Sequence, residues 1–124
     1  MKALITGAAR GLGRAITARL AKDGYEVWIN YSSSDDAAAE LKSEIEADGG
    51  SARLVRFDVA DAAAVDEVLV PLLADEGPVD VLVNNAGVSS DGYMMMLPEA
   101  DWDRVLGVNL RGFFLVTRAC LKGM

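Results

Sequence analysis

The chain is predicted to be an α/β protein, a doubly wound parallel sheet of which four strands and their helices are present. Three observations predict it. Short apolar runs alternate with longer segments of helical spacing, the runs are continuous as in strands buried on both faces, and most helical segments are closed by glycine. Strands separated by helices in this way pair in parallel through right-handed crossovers, and ligands of such sheets bind beyond the carboxyl ends of the strands. With 124 residues and 52% hydrophobic content the chain buries one core, so one domain or part of one is expected.

The first strand is Lys2–Ile5, followed by a helix over about residues 10–22 with Ala15, Ile16, Leu20 and Ala21 on its inner face and Asp23-Gly24 at its end. Glu26–Tyr31 is the second strand, its Val27, Trp28 and Ile29 a continuous apolar run. Ser32-Ser33-Ser34 supplies helix-start residues for a helix over 35–48, which faces inward through Ala38, Leu41 and Ile45 and stops at Gly49-Gly50. A third strand spans 52–57. The helix after Asp61 carries Val65, Val68, Leu69, Leu72 and Leu73, and Pro71 within it predicts a kink or the loss of one backbone bond. Gly77-Pro78 breaks the chain before a fourth strand at 79–83, and a last helical run covers 98–121.

The segment Thr6-Gly7-Ala8-Ala9-Arg10-Gly11-Leu12-Gly13, between the first strand and its helix, carries the most information. Gly7 permits a tight turn off the strand, Gly11 leaves the backbone open to a pyrophosphate, and Gly13 lets the helix pack closely on the strand. The N–H groups and the positive dipole end of that helix then face the anion. The Gly-x-x-x-Gly-x-Gly spacing is wider in its first part than the Gly-x-Gly-x-x-Gly fingerprint, and by itself it fits a phosphate cradle or a plain glycine-rich connection.

Composition excludes several classes. A net charge of −7 from 12 basic and 19 acidic residues argues against nucleic acid and anionic membrane as partners. No apolar stretch reaches the length of a membrane span, and Met1 leads straight into a strand, so a soluble, cytoplasmic protein is expected. The absence of histidine removes Ser-His and Cys-His pairs, and no metal site is expected. Cys120, in an apolar helical stretch, reads as a packing residue.

The residues that leave the strand ends carry the chemistry. Sites for NAD place an acidic side chain at the end of the second strand, about 20 residues beyond the glycines, to hold the ribose 2′-OH. Here Tyr31 and Ser32 stand there, so no carboxylate repels a 2′-phosphate, and Arg10 adds a cation whose fork suits phosphate oxygens. The combination favours NADP(H) over NAD(H); the alternative is a solvated Arg10 and a packing Tyr31. Asp58 is placed to accept the adenine amino group while the neighbouring N–H, that of Val59, reaches a ring nitrogen. Its other reading is a helix cap, a job for which Asp61 is better placed. Asn84-Asn85-Ala86-Gly87 forms a turn that bonds its own backbone and leaves room for a flat ligand.

Together these residues resemble the classical short-chain dehydrogenase/reductase family. The glycine turn at 6–13, Asp58-Val59, Asn-Asn-Ala-Gly at 84–87 and Val108-Asn109-Leu110 stand in the family's order and spacing. Within it, Asn30-Tyr31-Ser32, Asp91-Gly92 before a methionine-rich loop, and Glu99-x-Asp101-Trp102-Asp103 look most like the 3-oxoacyl-acyl-carrier-protein reductases. The resemblance implies a Rossmann-like sheet and NADP(H)-dependent reduction of a 3-ketoacyl thioester or similar carbonyl, small or carried on an acyl carrier. It places Gly7, Arg10, Gly11, Leu12 and Gly13 at the cofactor phosphates, Asp58 and Val59 at the adenine, and Asn85, Ala86 and Gly87 at the ribose and nicotinamide side. Asn84 is implied to tie the fourth strand to its neighbours. Ala9 stands where many relatives have serine, a lost hydrogen bond of about 0.5–1.5 kcal/mol net.

Asn109 is the one residue that matches the family's catalytic set. There the asparagine interrupts a long helix and holds a water through its backbone carbonyl, as part of a proton relay. Gly107 and Gly112, poor helix formers, flank it here; a glycine-loosened helix with Asn109 exposed is the other reading. The family's serine, tyrosine and lysine have no counterpart, since none of Tyr25, Tyr31 and Tyr93 begins a Tyr-x-x-x-Lys pattern. The expectation is therefore an NADP(H)-binding half-domain over residues 1–124 that precedes a fifth strand and is inactive alone. Its fourth strand would be an open edge, and its helix over 108–121, apolar through Phe113, Phe114, Leu115 and Val116, would be covered by a second copy in a homo-oligomer. A non-catalytic nucleotide-binding or assembly subunit of the same fold is the second class, and a methyltransferase is disfavoured by Asn84–Gly87 and Asn109.

Overall fold

Four parallel strands hydrogen-bond in the order β3-β2-β1-β4 in the computed structural model, which describes residues 1–88 and 94–124. They are β1 (Lys2–Ile5), β2 (Glu26–Tyr31), β3 (Ser51–Arg56) and β4 (Val81–Val83). The intervening chain forms α1 (Gly11–Lys22) and α2 (Asp35–Ala47), then α3 (Ala62–Ala64), α4 (Val70–Glu76), α5 (Glu99–Leu106) and α6 (Gly112–Leu121). Asp91, Gly92 and Tyr93, from the loop used in the finer family placement, lie outside the described residues.

Alternation along β1 and β2 divides the core into two layers. Leu4 and Trp28 point to one face with Val55, Phe57, Leu69, Val116 and Cys120, while Ala3, Ile5, Val27 and Ile29 point to the other with Ala38, Leu41 and Ile45 from α2. No helix among the described residues is long and apolar enough to cross a membrane.

Several elements depart from the expected detail. Ala15 is exposed, and α1 instead buries Gly13 and Thr17, whose hydroxyl donates to the Gly13 carbonyl at 2.7 Å. Ser34 is the N-cap of α2 but its side chain makes no capping bond. The fourth strand begins at Val81, because Asp80 turns its carboxylate onto the N–H of Lys2 at 2.7 Å and takes that donor out of the ladder.

Both helical runs that the residues mark as irregular contain a π turn. In the first, Val65–Leu69 is π-helical, with Val70 N–H bonding Val65 O, and Pro71 falls in the first turn of α4, where its missing donor costs little. In the second, Gly107–Arg111 is π-helical between α5 and α6, with Gly112 N–H bonding Gly107 O. The expected interruption at Asn109 is thus a widened turn. Gly112, which follows it, packs so close that a Cβ there would stand 2.6 Å from Val59 Cγ2.

Three side chains lash the strand ends together. Thr6 Oγ1 accepts the N–H groups of Asn85 at 3.0 Å and Ala86 at 2.9 Å. Asn30 donates from Nδ2 to Val55 O at 3.2 Å and Phe57 O at 3.1 Å, and accepts Gly7 N–H at 3.2 Å. Asn85 donates from Nδ2 to Thr6 O and Gly7 O at 3.2 and 3.1 Å. Four strands that share no covalent link nearby are locked at one edge.

Thr6→Val keeps the shape and removes the acceptor of two N–H groups. The expected loss is about 1–3 kcal/mol in urea unfolding, with Thr6→Ser close to the parent. Cys120 is 1% exposed, and burial pushes its thiol from 9.0 up to about 11. Between those values the unfolded chain has released this proton and the folded chain has not, so stability falls as pH rises through the window and is unaffected by this group below it. Urea midpoints across that range are expected to decline less in Cys120→Ala than in the parent.

Candidate functional site

The glycine turn sits where the lashings meet. Gly7 has φ +60, and a Cβ there would be 2.9 Å from Ala86 Cα, so the turn presses directly on the turn that leaves β4. At Gly13 a Cβ would run into Gly7 O and Asn85 Nδ2. Gly11 differs: among the described residues, no atom beyond its chain neighbours and its own helix backbone lies within 4 Å of the position its Cβ would take. The turn is closed below and open above.

The open side is the N-terminus of α1. Arg10 is the N-cap in extended conformation, its side chain makes no capping bond, and α1 has no acidic residue in its first turn. Arg10 and Gly11 are exposed, and Leu12 is 70% exposed. A helix of 12 residues thus presents uncapped N–H groups to solvent beside an exposed guanidinium, the electrostatics that suit an anion.

The other expected positions lie along the same edge, at the carboxyl ends of β2, β3 and β4. Tyr31 is half-buried and packs on the α2 layer, and Ser32 is exposed, its carbonyl accepting Arg56 Nε at 3.0 Å. Asp58 is exposed and accepts Ala60 N–H at 2.9 Å, while Asp61 caps α3 by accepting from Ala63 at 3.0 Å and Ala64 at 3.3 Å. The helix-capping role thus falls to Asp61. The Val59 side chain is buried in the core, so only its backbone is left for a ligand.

The Asn84–Gly87 turn is used differently by its two amides. Asn84 Nδ2 donates to Thr117 Oγ1 at 3.0 Å, which ties the end of β4 to α6 rather than to the neighbouring strands. Asn85 spends its Nδ2 on the glycine turn and is half-buried, as is Ala86, while Gly87 is exposed. Asn109 is exposed yet engaged: Val88 N–H donates to its Oδ1 at 2.9 Å, and its Nδ2 donates to Val88 O at 3.0 Å. A cavity of about 40 Å³ lies between Thr6, Ala86, Val108 and Asn109, a size that admits water. A larger one, about 580 Å³, lies around Cys120 between the Val65–Leu69 turn and α6, and none of its lining residues belongs to the strand ends.

Asn30 and Arg56 also stand at this edge, outside the motifs of the chain that mark the other site candidates. Asn30 carries a signal: a polar residue closing an apolar strand must find buried partners. Arg56 carries none, because its role depends on which strand lies beside β3.

A family model described as short chain dehydrogenase matches residues 1–124. The 3-oxoacyl-[acyl-carrier-protein] reductase FabG of Staphylococcus epidermidis is 43% identical over 112 residues, 90% of this chain and 46% of that protein. The chain spans about half the length of the curated relatives it matches. Among solved structures, a blue fluorescent protein from a metagenomic library in complex with NADPH superposes with a TM-score of 0.89 at 38% identity, over 98% of this chain and 50% of that one. A gluconate 5-dehydrogenase from Burkholderia cenocepacia in complex with NADP and tartrate gives 0.88 at 35% identity, over 98% of this chain and 47% of that one. Family match, strand order and the two interlocked turns agree, and the chain belongs to the short-chain dehydrogenase family.

Proposed function

We propose that this chain is the cofactor-binding half of an NADP(H)-dependent short-chain oxidoreductase, which reduces a 3-ketoacyl thioester or similar carbonyl. The observation that carries the proposal is the open Gly11 at the uncapped start of α1, held in place from beneath by Asn30 and Asn85. The residues fit a dinucleotide. The N–H groups at Gly11, Leu12 and Gly13 receive the pyrophosphate, and Asp58 with the Val59 backbone receives the adenine. The faces of Ala86 and Gly87 support the ribose and nicotinamide. When bound, the cofactor supplies the hydride.

Arg10 and the carboxylate-free end of β2 at Tyr31 and Ser32 support NADP(H), as do the two structural neighbours in complex with NADPH and NADP. The name of the FabG relative supports the 3-ketoacyl substrate class. Asn109 acts through its backbone carbonyl, since both polar atoms of its side chain are bound to Val88, and the small cavity beside it suits the water of a proton relay. Phe113 and Phe114 of α6 are 53% and 54% exposed, which supports a second copy of the chain as cover for that helix.

Fluorescence titration is expected to show NADPH binding about tenfold or more tightly than NADH, because one charge-assisted phosphate contact is worth about 1.5–3 kcal/mol. Equal affinities, or a preference for NADH, would overturn the roles of Arg10 and Tyr31. Incubated with NADPH and a 3-ketoacyl thioester, this chain alone is expected to consume no NADPH. Turnover would show that the catalytic acid is already present and refute the half-domain reading.

A further inference from the structure

Arg56 is the last residue of β3 and pairs in register with Tyr31, the last residue of β2. Its neighbours Val55 and Phe57 are buried, so the strand holds Arg56 outward at the sheet edge from a rigid base. The guanidinium reaches across β2: Nε donates to Ser32 O at 3.0 Å and stands 3.7 Å from Asp35 Oδ1. Both contacts use Nε. Among the described residues, none accepts a hydrogen bond from either Nη, and the side chain is 61% exposed.

Arg14 on α1 is a contrast, because its Nη2 is already shared by Glu40 at 3.3 Å and Glu44 at 2.8 Å. Arg56 instead has a positioned base and two unused Nη groups beside the serines that follow β2. Asp35, 58% exposed, is a screened counter-charge held near Nε and leaves the far end of the fork open.

We infer that Arg56 is a second cation of the 2′-phosphate subsite, gripping a nucleotide 2′-phosphate with its Nη groups from β3 while Arg10 faces it from the glycine turn. The inference rests on the NADP(H) reading of the site. A planar guanidinium anchored through Nε presents its Nη donors as a phosphate ligand without further ordering, which makes the contact inexpensive in side-chain entropy. Nucleotides without the 2′-phosphate make no such contact and are indifferent to the residue.

The test is calorimetric titration of the chain with adenosine 2′,5′-bisphosphate and with 5′-AMP at one fixed salt concentration, for the parent, Arg56→Gln and Arg56→Lys. Arg56→Gln is expected to weaken the bisphosphate about tenfold or more and to change 5′-AMP by less than about twofold. Arg56→Lys, which keeps the charge and loses the fork, is expected to fall between the two. A parent that prefers the bisphosphate, with variants that keep the full preference, overturns the role of Arg56 and leaves the NADP(H) reading standing. Equal weakening of both ligands makes Arg56 a mere support of the Ser32 loop and also overturns it. A parent that does not discriminate, or binds neither, overturns the reading of the site and the inference with it. If thermal unfolding shows that Arg56→Gln is not folded, the Arg56→Lys ratio decides alone.

Discussion

Everything at the candidate site depends on the hydrogen bonds that Thr6, Asn30 and Asn85 make across the ends of the four strands. A glycine-rich turn is floppy by nature, and its glycines have no side chains to hold it. Here its backbone is pinned from outside, with Gly7 N–H and O each bound by a different amide and Ala8 N–H bound to Asn30 O at 2.9 Å. In a site of low dielectric such bonds are worth keeping only if every partner is satisfied, and no buried side-chain nitrogen or oxygen among the described residues lacks one. The cradle is therefore preorganised: order that a ligand would otherwise have to impose is supplied by the protein's own hydrogen bonds.

The two π turns are a second consequence of packing. Pro71 cannot donate, and the helix accommodates it by widening the turn before it, so Val65 and Leu69 stay in the core. At Gly107–Arg111 the widening has a different setting. Gly112 approaches Val59, and Asn109 is brought to Val88 at the end of the β4 turn. One irregularity thus joins the last helix to both of the turns read as adenine-side and nicotinamide-side contacts. The same helix leaves Phe113 and Phe114 outward, Phe114 partly covered by the Arg118 guanidinium 4.8 Å from its ring centre.

How far the chain is legible varies with the range of the force involved. The strands of β1 and β2 and the glycine turn follow from local patterns, continuous apolar runs and turn residues, and the structure has them at the expected places. Ile16, Leu20 and Ala21 of α1 pack on the core as their spacing predicts, while Ala15 is exposed and Thr17 is buried, since apolar spacing does not register that Thr17 hides its hydroxyl on the Gly13 carbonyl. Asn84 was expected to tie the fourth strand to its neighbours, and the neighbour it reaches is α6, a partner 33 residues away. The residues read as site candidates lie along one edge because parallel order places every strand's carboxyl end there.

By itself, the sequence determined the alternation of strand and helix, the parallel sheet, the glycine-rich turn at Gly7 to Gly13 and the family that its motifs resemble. These are set by patterns of a few residues, which act before any distant contact forms. The tertiary structure alone decided which amides hold that turn, that Val59 faces the core, that Asn109 clamps Val88, and that Arg56 arrives beside Ser32. The physical reason is strand order: β3 lies next to β2 only once the whole sheet is assembled, and a hydrogen bond across 24 residues of chain leaves no trace in the local pattern at either end.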